Sequence, residues 1–269
     1  RSGSIGLQVA GAIGDTVRIR HVRVSESLDV GLHAQGARIV GDSGTIVLTQ
    51  NPYPYRGYFD SFAALARDSV SQRRWVGNTD NVAVIVGRSD RTFRGRPNMI
   101  DTMVTVPELR LQMESDVYVD TLAVFMPRAG TRVTFSNGGM TFQHGGRLVA
   151  RGTEIDSVKF ERVSPTSGTF SGLEFMSPGA ATGTLPPPPP TATSELMYVA
   201  IGEGTGDCAD LGCATIATQN RHIVLIDRSS VRLSHSGAVH LAARGSSIAH
   251  SRIDTTLSTS YAALALGPA

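Results

Sequence analysis

The sequence predicts an all-β chain wound as a parallel β-helix, a solenoid whose coils take about 25 residues each. Three observations predict it. The first is an internal repeat: "VRVSESLDVGLHAQGARI" (22–39) returns as "VRLSHSGAVHLAARGSSI" (231–248), with nine identities in eighteen ungapped positions. The second is a partial copy at shorter range. "IGLQVAG" (5–11) matches "VGLHAQG" (30–36), with Ile5 falling on Val30 and Gly11 on Gly36, and this shift sets the length of one coil. The third is period-two alternation within each copy, as in Val22 and Val24, then Val30 and Leu32. Such alternation over a few residues marks a short strand with one buried face. Stacking such coils places equivalent apolar residues in continuous ladders.

The elements follow in order. Val22, Val24, Val30, Leu32 and Ile39 are expected to point into the coil, as are Val231, Leu233, Val239, Leu241 and Ile248. Ser, Gly and Asp between the runs favour turns. "FDSFAALARDSV" (59–70) is the one stretch with a helical pattern, and it is short. Strands are expected at Val82–Val86, Val117–Phe125, Arg132–Phe135, Met140–Phe142 and Arg147–Ala150. Val158–Phe160, Leu173–Phe175, Leu196–Ile201 and His222–Ile226 continue the series. Strands at this density, with little helix between them, argue against a βαβ fold, and a β-sandwich would not predict the repeat. "GTLPPPPPTATSE" (183–195) interrupts the pattern as a proline-rich loop between two coils, because proline cannot donate to a sheet ladder. The stretch also reads as a domain linker, but since the pattern resumes at once, the whole chain, 1–269, is read as a single domain.

Composition narrows the classes of function. A chain of 269 residues can bury a sizeable core. A net charge of +2 gives no electrostatic case for nucleic acid or an anionic membrane, and no run approaches the roughly 18 apolar residues a membrane span requires. The chain begins at Arg1 and reads as a mature form or a fragment of a longer protein. Its two cysteines, Cys208 and Cys213 in "GDCADLGC", are spaced for a local disulfide, which would place the protein in an oxidising compartment. Two free thiols are the other reading. No histidine pair stands near them to complete a zinc site, so no metal is expected.

At "GGRLVARGTEIDSVKFERV" (145–163) the sequence resembles secreted bacterial right-handed parallel β-helix proteins with a pectin-lyase-like fold. Those proteins carry Gly-Gly-x-Leu-x-Ala-x-Gly-Thr followed by a strand ending in Phe. Here Gly145, Gly146, Leu148, Ala150, Gly152, Thr153 and Phe160 fill the pattern. "VYVDTLAVFMPRAGTRVTF", "FSGLEF", "SELMYVAIGEG", "NPYPYRGYF" and "GNTDNVAVIVG" resemble neighbouring coils, so the likeness covers the chain from Ile5 to about Thr256. Phe170 stands where the family carries tryptophan, and Ser157 where proline is common. The resemblance implies a right-handed coil and export to the cell surface or beyond. It does not imply an activity.

Candidate site residues are few. "NTD" at 78–80 invites comparison with polygalacturonases and makes Asp80 the one catalytic candidate, but their Asp pair, Gly-His-Gly and Arg-Ile-Lys are missing. "GNTDN" also reads as a polar turn before a strand. Lyase chemistry would need clustered acids for calcium and a base. Asp15, Asp29 and Asp42 recur over successive coils, and Arg18, Arg20 and Arg23 alternate with apolar residues and so face outward. Such an arginine row would grip a uronate polymer; its plainer reading is a solvated face. Tyr53, Tyr55, Tyr58 and Phe59 form the one dense aromatic cluster, suited to stacking on sugar rings or to packing a loop. His235, His240 and His250 are scattered over the C-terminal copy.

The expectation is a non-catalytic, exported module: a surface scaffold, stalk or adhesin without a cofactor, whose partner is a surface glycan or another cell-surface protein. The alternative is a lyase or hydrolase on acidic polysaccharide, with calcium required only in that case.

Overall fold

A computed structural model describes residues 4–12, 15–41, 46–66, 74–87, 92–94, 101–164, 168–177, 191–204, 215–233, 239–255 and 264–266. The first coil runs through β1 (Ile5–Ala10), β2 (Thr16–Ile19) and β3 (Val22–Ser25), the second through β4 (Val30–Gln35), β5 (Arg38–Gly41) and β6 (Ile46–Thr49). The third opens with β7 (Tyr53–Tyr58) and passes into helix α1 (Phe59–Leu65). The fourth holds β8 (Val82–Val86) and β9 (Asp101–Thr105). Three-stranded coils follow: β10 (Arg110–Met113), β11 (Val117–Val119) and β12 (Ala123–Pro127), then β13 (Arg132–Phe135), β14 (Met140–Phe142) and β15 (Arg147–Arg151). Next come β16 (Val158–Arg162), β17 (Leu173–Phe175) and β18 (Ala192–Met197), then β19 (Val199–Gly204), β20 (Ile216–Thr218) and β21 (His222–Asp227). β22 (Ser230–Leu233), β23 (Val239–Leu241) and β24 (Ser247–Ala249) complete the ninth coil, and β25 (Arg252–Thr255) and β26 (Leu264–Leu266) belong to a tenth.

Every paired strand among the described residues is parallel to its neighbour one coil away. One face is a ten-stranded sheet in the order β1-β4-β7-β8-β10-β13-β16-β19-β22-β25. Six-stranded sheets, β11 to β26 and β9 to β24, form the other two faces over the C-terminal coils. The chain is therefore a right-handed parallel β-helix, as expected. Its lumen is a set of in-register ladders. In the ten-stranded sheet one ladder steps through Leu7, Leu32, Tyr55, Ala83, Leu111 and Val133, and continues through Phe160, Ile201, Val231 and Ile253. Phe135 stacks on Phe170 at 4.4 Å and Phe142 on Phe175 at 4.9 Å, so Phe170 is a stacked lumen ring. Burying each such side chain stabilises the coil by about 2 kcal/mol.

Val24, Val30, Leu32, Ile39, Val231, Val239 and Leu241 are buried as predicted. Val22 and Ile248 are only partly buried but pack against the same core. The Leu233 side chain lies outside the described residues. The short-range repeat is a true coil equivalence, since Ile5 pairs with Val30, Leu7 with Leu32 and Val9 with Ala34. Gly36 explains the shared glycine. Its φ is +88°, and a Cβ there would sit 1.8 Å from the carbonyl oxygen of Gly11, so only glycine fits.

The long-range repeat is different. β3, β4 and β5 correspond in sequence to β22, β23 and β24, yet β4 and β22 lie on the ten-stranded face while β23 lies on another. The repeated unit is strand, corner, strand, displaced by one face. All three faces use the same short alternation and a left-handed corner (Gly36 and Gly245 both have φ near +90°), so a sequence match cannot tell one corner from the next.

Coil length also varies. One turn of the register runs from Leu111 to Val133, whereas a later one stretches from Phe160 to Ile201. The longest coil contains the proline-rich stretch, whose residues 183–190 lie outside the described residues. Its expected boundary requires correction, because Ala192–Glu195 are not loop but the first part of β18, paired with His222–Leu225. Two expected strands are each two. Val117–Phe125 breaks at a corner where Leu122 has φ +58°, and Leu196–Ile201 breaks at Tyr198 with φ +51°.

Helix α1 replaces a strand on the second face of the third coil. Ser61 donates its hydroxyl to the Ala37 carbonyl oxygen (3.1 Å), satisfying an acceptor on the coil below. Phe62 and Tyr55 surround Trp75, whose indole N–H donates to Ile46 O (3.2 Å). A helix of seven residues owes its stability to this packing, not to propensity.

Candidate functional site

The polar residues that look most chemical in the sequence are built into corners. After β3, β6 and Trp75 the chain turns through Glu26, Gln50 and Gly77, all with positive φ, and these bond in a column: Glu26 N–H to Gln50 O, Gln50 N–H to Gly77 O. Beside the column runs a polar ladder of Ser27, Asn51 and Asn78. The fully buried Asn51 amide donates to Val24 O and Thr49 O, and its oxygen accepts from the Ser27 amide and hydroxyl. Asn78 accepts from Asn51 N–H and donates to Leu48 O and Trp75 O. "NTD" is thus one rung of an asparagine ladder. Asp80 is exposed, and its backbone N–H donates to Pro52 O (2.9 Å); it occupies the turn expected of it.

Two buried ionisable groups serve similar structural roles, one at a corner and one in a strand. The Asp120 carboxylate, between β11 and β12, accepts from Arg94 Nη2 (2.6 Å), Thr121 N–H (2.5 Å) and the Thr121 hydroxyl (2.9 Å). Gln143 Nε2 and His144 Nδ1 also lie at 3.2 and 3.1 Å. Burial pushes this carboxyl upward, but the Arg94 and Thr121 bonds outweigh it and leave it below the usual range. His222, in β21, has Nε2 2.9 Å from Ser194 Oγ and Nδ1 3.2 Å from Met176 O. Ser194 and His222 have the spacing of a nucleophile and its base. Both are fully buried in the lumen, however, and Ser194 also accepts from Leu148 N–H. The pair closes a hydrogen-bond chain across three coils and offers nothing to a substrate.

Among the described residues, one set of side chains that meets solvent together lies along a C-terminal corner. Here the chain turns three times through left-handed residues, Tyr198 (φ +51°), Arg228 (+47°) and His250 (+46°). Tyr198 N–H donates to Asp227 O, and Arg228 N–H to Ala249 O, both 3.1 Å. Ser229 and Ser251 each follow one of these residues and accept from Val199 N–H and Ser229 N–H. This serine ladder fixes the backbone at the corners, and Tyr198, Arg228 and His250 line a groove of about 730 Å³, with Glu154 and Arg252 on its walls. In it Arg228 Nη1 donates to the Tyr198 hydroxyl (2.8 Å), the guanidinium carbon lying 5.6 Å from the ring centre. His250 Nδ1 is 2.9 Å from Asp227 Oδ1, Arg228 Nε is 3.9 Å from Asp227 Oδ2, and Arg252 Nε donates to Asp254 (2.7 Å). The groove therefore presents guanidinium donors, each with a carboxylate beside it.

The residues singled out in the sequence do not assemble into this site. Arg18, Arg20 and Arg23 are exposed as expected, but the corner at His21 (φ +52°) separates Arg18 in β2 and Arg20 just after it from Arg23 in β3, and the two strands belong to different sheets. They do not form one straight row. Asp15 and Asp29 are exposed, with Asp15 Oδ2 accepting from Ala12 N–H. Tyr55 requires correction as a binding residue. It is fully buried, stacks on Trp75 at 6.2 Å and donates to Tyr58 O (3.0 Å), so it packs the lumen and cannot meet a sugar. Tyr53 and Tyr58 are half-buried at the two ends of β7 and form no continuous platform. Asp42, Cys208, Cys213 and His235 lie outside the described residues. Among the described residues no group of three or more His, Cys, Asp or Glu could hold a metal ion, and no helix is long and apolar enough to cross a membrane.

Tyr198 and Arg228 escaped the sequence reading, although for Arg228 a signal existed. "RSSVRL" (228–233) and "HSRIDT" (250–255) each open with a polar residue and a serine and continue as an alternating strand, one coil apart. Comparison of the chain with protein-family models, with curated proteins and with solved structures finds no match.

Proposed function

We propose that this chain is an exported, non-catalytic β-helix module that serves as a surface scaffold, stalk or adhesin and recognises glycan. One observation carries the reading: the described polar groups buried in the coil that could serve as nucleophile, base or acid are consumed in hydrogen bonds at corners and between coils. Asn51, Asn78, Asp120, Ser194 and His222 each hold backbone groups of their own or neighbouring coils. The outward groove instead presents paired donors and acceptors on a fixed backbone, an arrangement suited to holding a ligand. The resemblance of 145–163 to secreted bacterial proteins with a pectin-lyase-like fold supports export, and a Cys208–Cys213 disulfide would agree with it.

Incubation with a panel of neutral and acidic polysaccharides, with and without calcium, tests the reading. No new reducing ends and no unsaturated products are expected. Turnover abolished by Asp80→Asn in a still-folded protein would overturn it in favour of a lyase or hydrolase.

A further inference from the structure

We propose that the corner groove at Tyr198, Arg228 and His250 is a binding site for a linear, neutral saccharide chain lying along the solenoid axis. The inference rests on the glycan-recognition reading above and specifies where the ligand sits and what its charge is.

Shape supplies the first argument. The three side chains project from equivalent corners of consecutive coils, joined by the bonds Tyr198 N–H to Asp227 O and Arg228 N–H to Ala249 O. Adjacent parallel strands lie about 4.8 Å apart, close to the length of one pyranose unit in an extended chain. A linear glycan along the groove would therefore meet one left-handed corner per sugar. The serine ladder keeps the three corners in register without drawing on the outward side chains.

Charge supplies the second. Asp227 lies against both His250 and Arg228, Asp254 binds Arg252, and Glu154 shares the groove wall. An anionic sugar would gain the guanidinium groups but meet the carboxylates already beside them. A neutral sugar meets no such opposition. Each of its hydroxyls both donates and accepts, so vicinal hydroxyls can accept from Arg228 or Arg252 and donate to Glu154. The Tyr198 hydroxyl already accepts from Arg228, which leaves its own proton to donate. The guanidinium is held on the tyrosine ring before any ligand arrives, so little side-chain freedom is lost on binding.

The test is calorimetric titration of the full chain with gluco-, manno-, galacto- and xylo-hexaoses, and with polygalacturonate and alginate. At least one neutral hexaose should bind. The affinity should fall tenfold or more in Arg228→Ala and in Tyr198→Ala, stay unchanged in Arg74→Ala on an exposed position of the third coil, and vary little with salt. Arg228 is half-exposed, so its variant should unfold at the wild-type temperature. Absence of binding to every neutral hexaose would overturn the proposal, as would binding that survives both groove variants. Salt-sensitive binding of the uronates alone, lost in Arg228→Ala, would reject the neutral ligand yet leave glycan recognition standing. Cleavage of any probe would instead sink the non-catalytic reading.

Discussion

At the scale of single residues, the interior of this solenoid contains polar groups whose cost is met by hydrogen bonding between coils. Asn51 shows the consequence. Replacing it by alanine strands Val24 O, Thr49 O and the Ser27 N–H in a buried corner, and should lower stability by about 3 kcal/mol in chemical denaturation. Asp80→Asn, an exposed position two residues after the next rung, should change it by no more than about 0.5 kcal/mol. Equal effects at the two positions would contradict the ladder. His222 makes a pH prediction. Burial, and to a lesser degree the nearby Arg147, lower its pKa to about 4, against the opposing bond to Met176 O. The histidine is neutral in the folded protein while the unfolded chain protonates near pH 6.5. The contribution of this group to stability should therefore be constant above about pH 6.5 and be lost as pH drops towards 4, by about 3 kcal/mol. His222→Gln should flatten that part of the melting profile; a slope identical to wild type would assign it to other groups.

At the scale of elements, β18 divides the proline-rich region into a dispensable and an essential part. Replacing 184–190 by a short Gly-Ser linker should preserve cooperative unfolding, since no described strand is touched. Extending the deletion to Glu195 removes Ser194, which accepts from Leu148 N–H and bonds His222, together with the stretch Ala192–Glu195 paired to β21. That variant should fail to give a cooperative thermal transition. If it melts like the parent, β18 does not carry the coil. Ser194 also explains why the boundary was hidden. A polar residue facing inward makes "TATSE" read as loop, and only its partner His222 on the next coil makes it a strand.

At the scale of the whole molecule, each coil touches chiefly its neighbours. Leu32 in β4 and Leu241 in β23 are both buried and lie many coils apart. Each change to alanine should cost about 2–5 kcal/mol, and the double variant should equal the sum within about 0.5 kcal/mol. A larger coupling, measured by denaturant titration, would mean that the solenoid behaves as a unit in which distant coils share strain.

The sequence alone determined the winding. Alternating apolar residues, frequent corner glycines and the one-coil shift from Ile5 to Val30 together require short parallel strands with one buried face. Lumen positions such as Leu32 and Val239 were legible because burial follows directly from alternation. Tertiary structure decided the rest. Whether a polar residue is a rung, a buried lock or a ligand contact depends on what stands above and below it. Those neighbours sit one coil away, at a sequence distance that changes from coil to coil, as the steps Leu111 to Val133 and Phe160 to Ile201 show. Asn78 and Tyr55 resemble site residues in one dimension and become structural supports in three. Tyr198, Arg228 and His250 resemble unrelated surface residues until left-handed corners stack them. Corner conformation carries no reliable residue signature here, since tyrosine, arginine, leucine and histidine all adopt it. Because those corners choose which side chains leave the coil, the groove exists only in the wound chain.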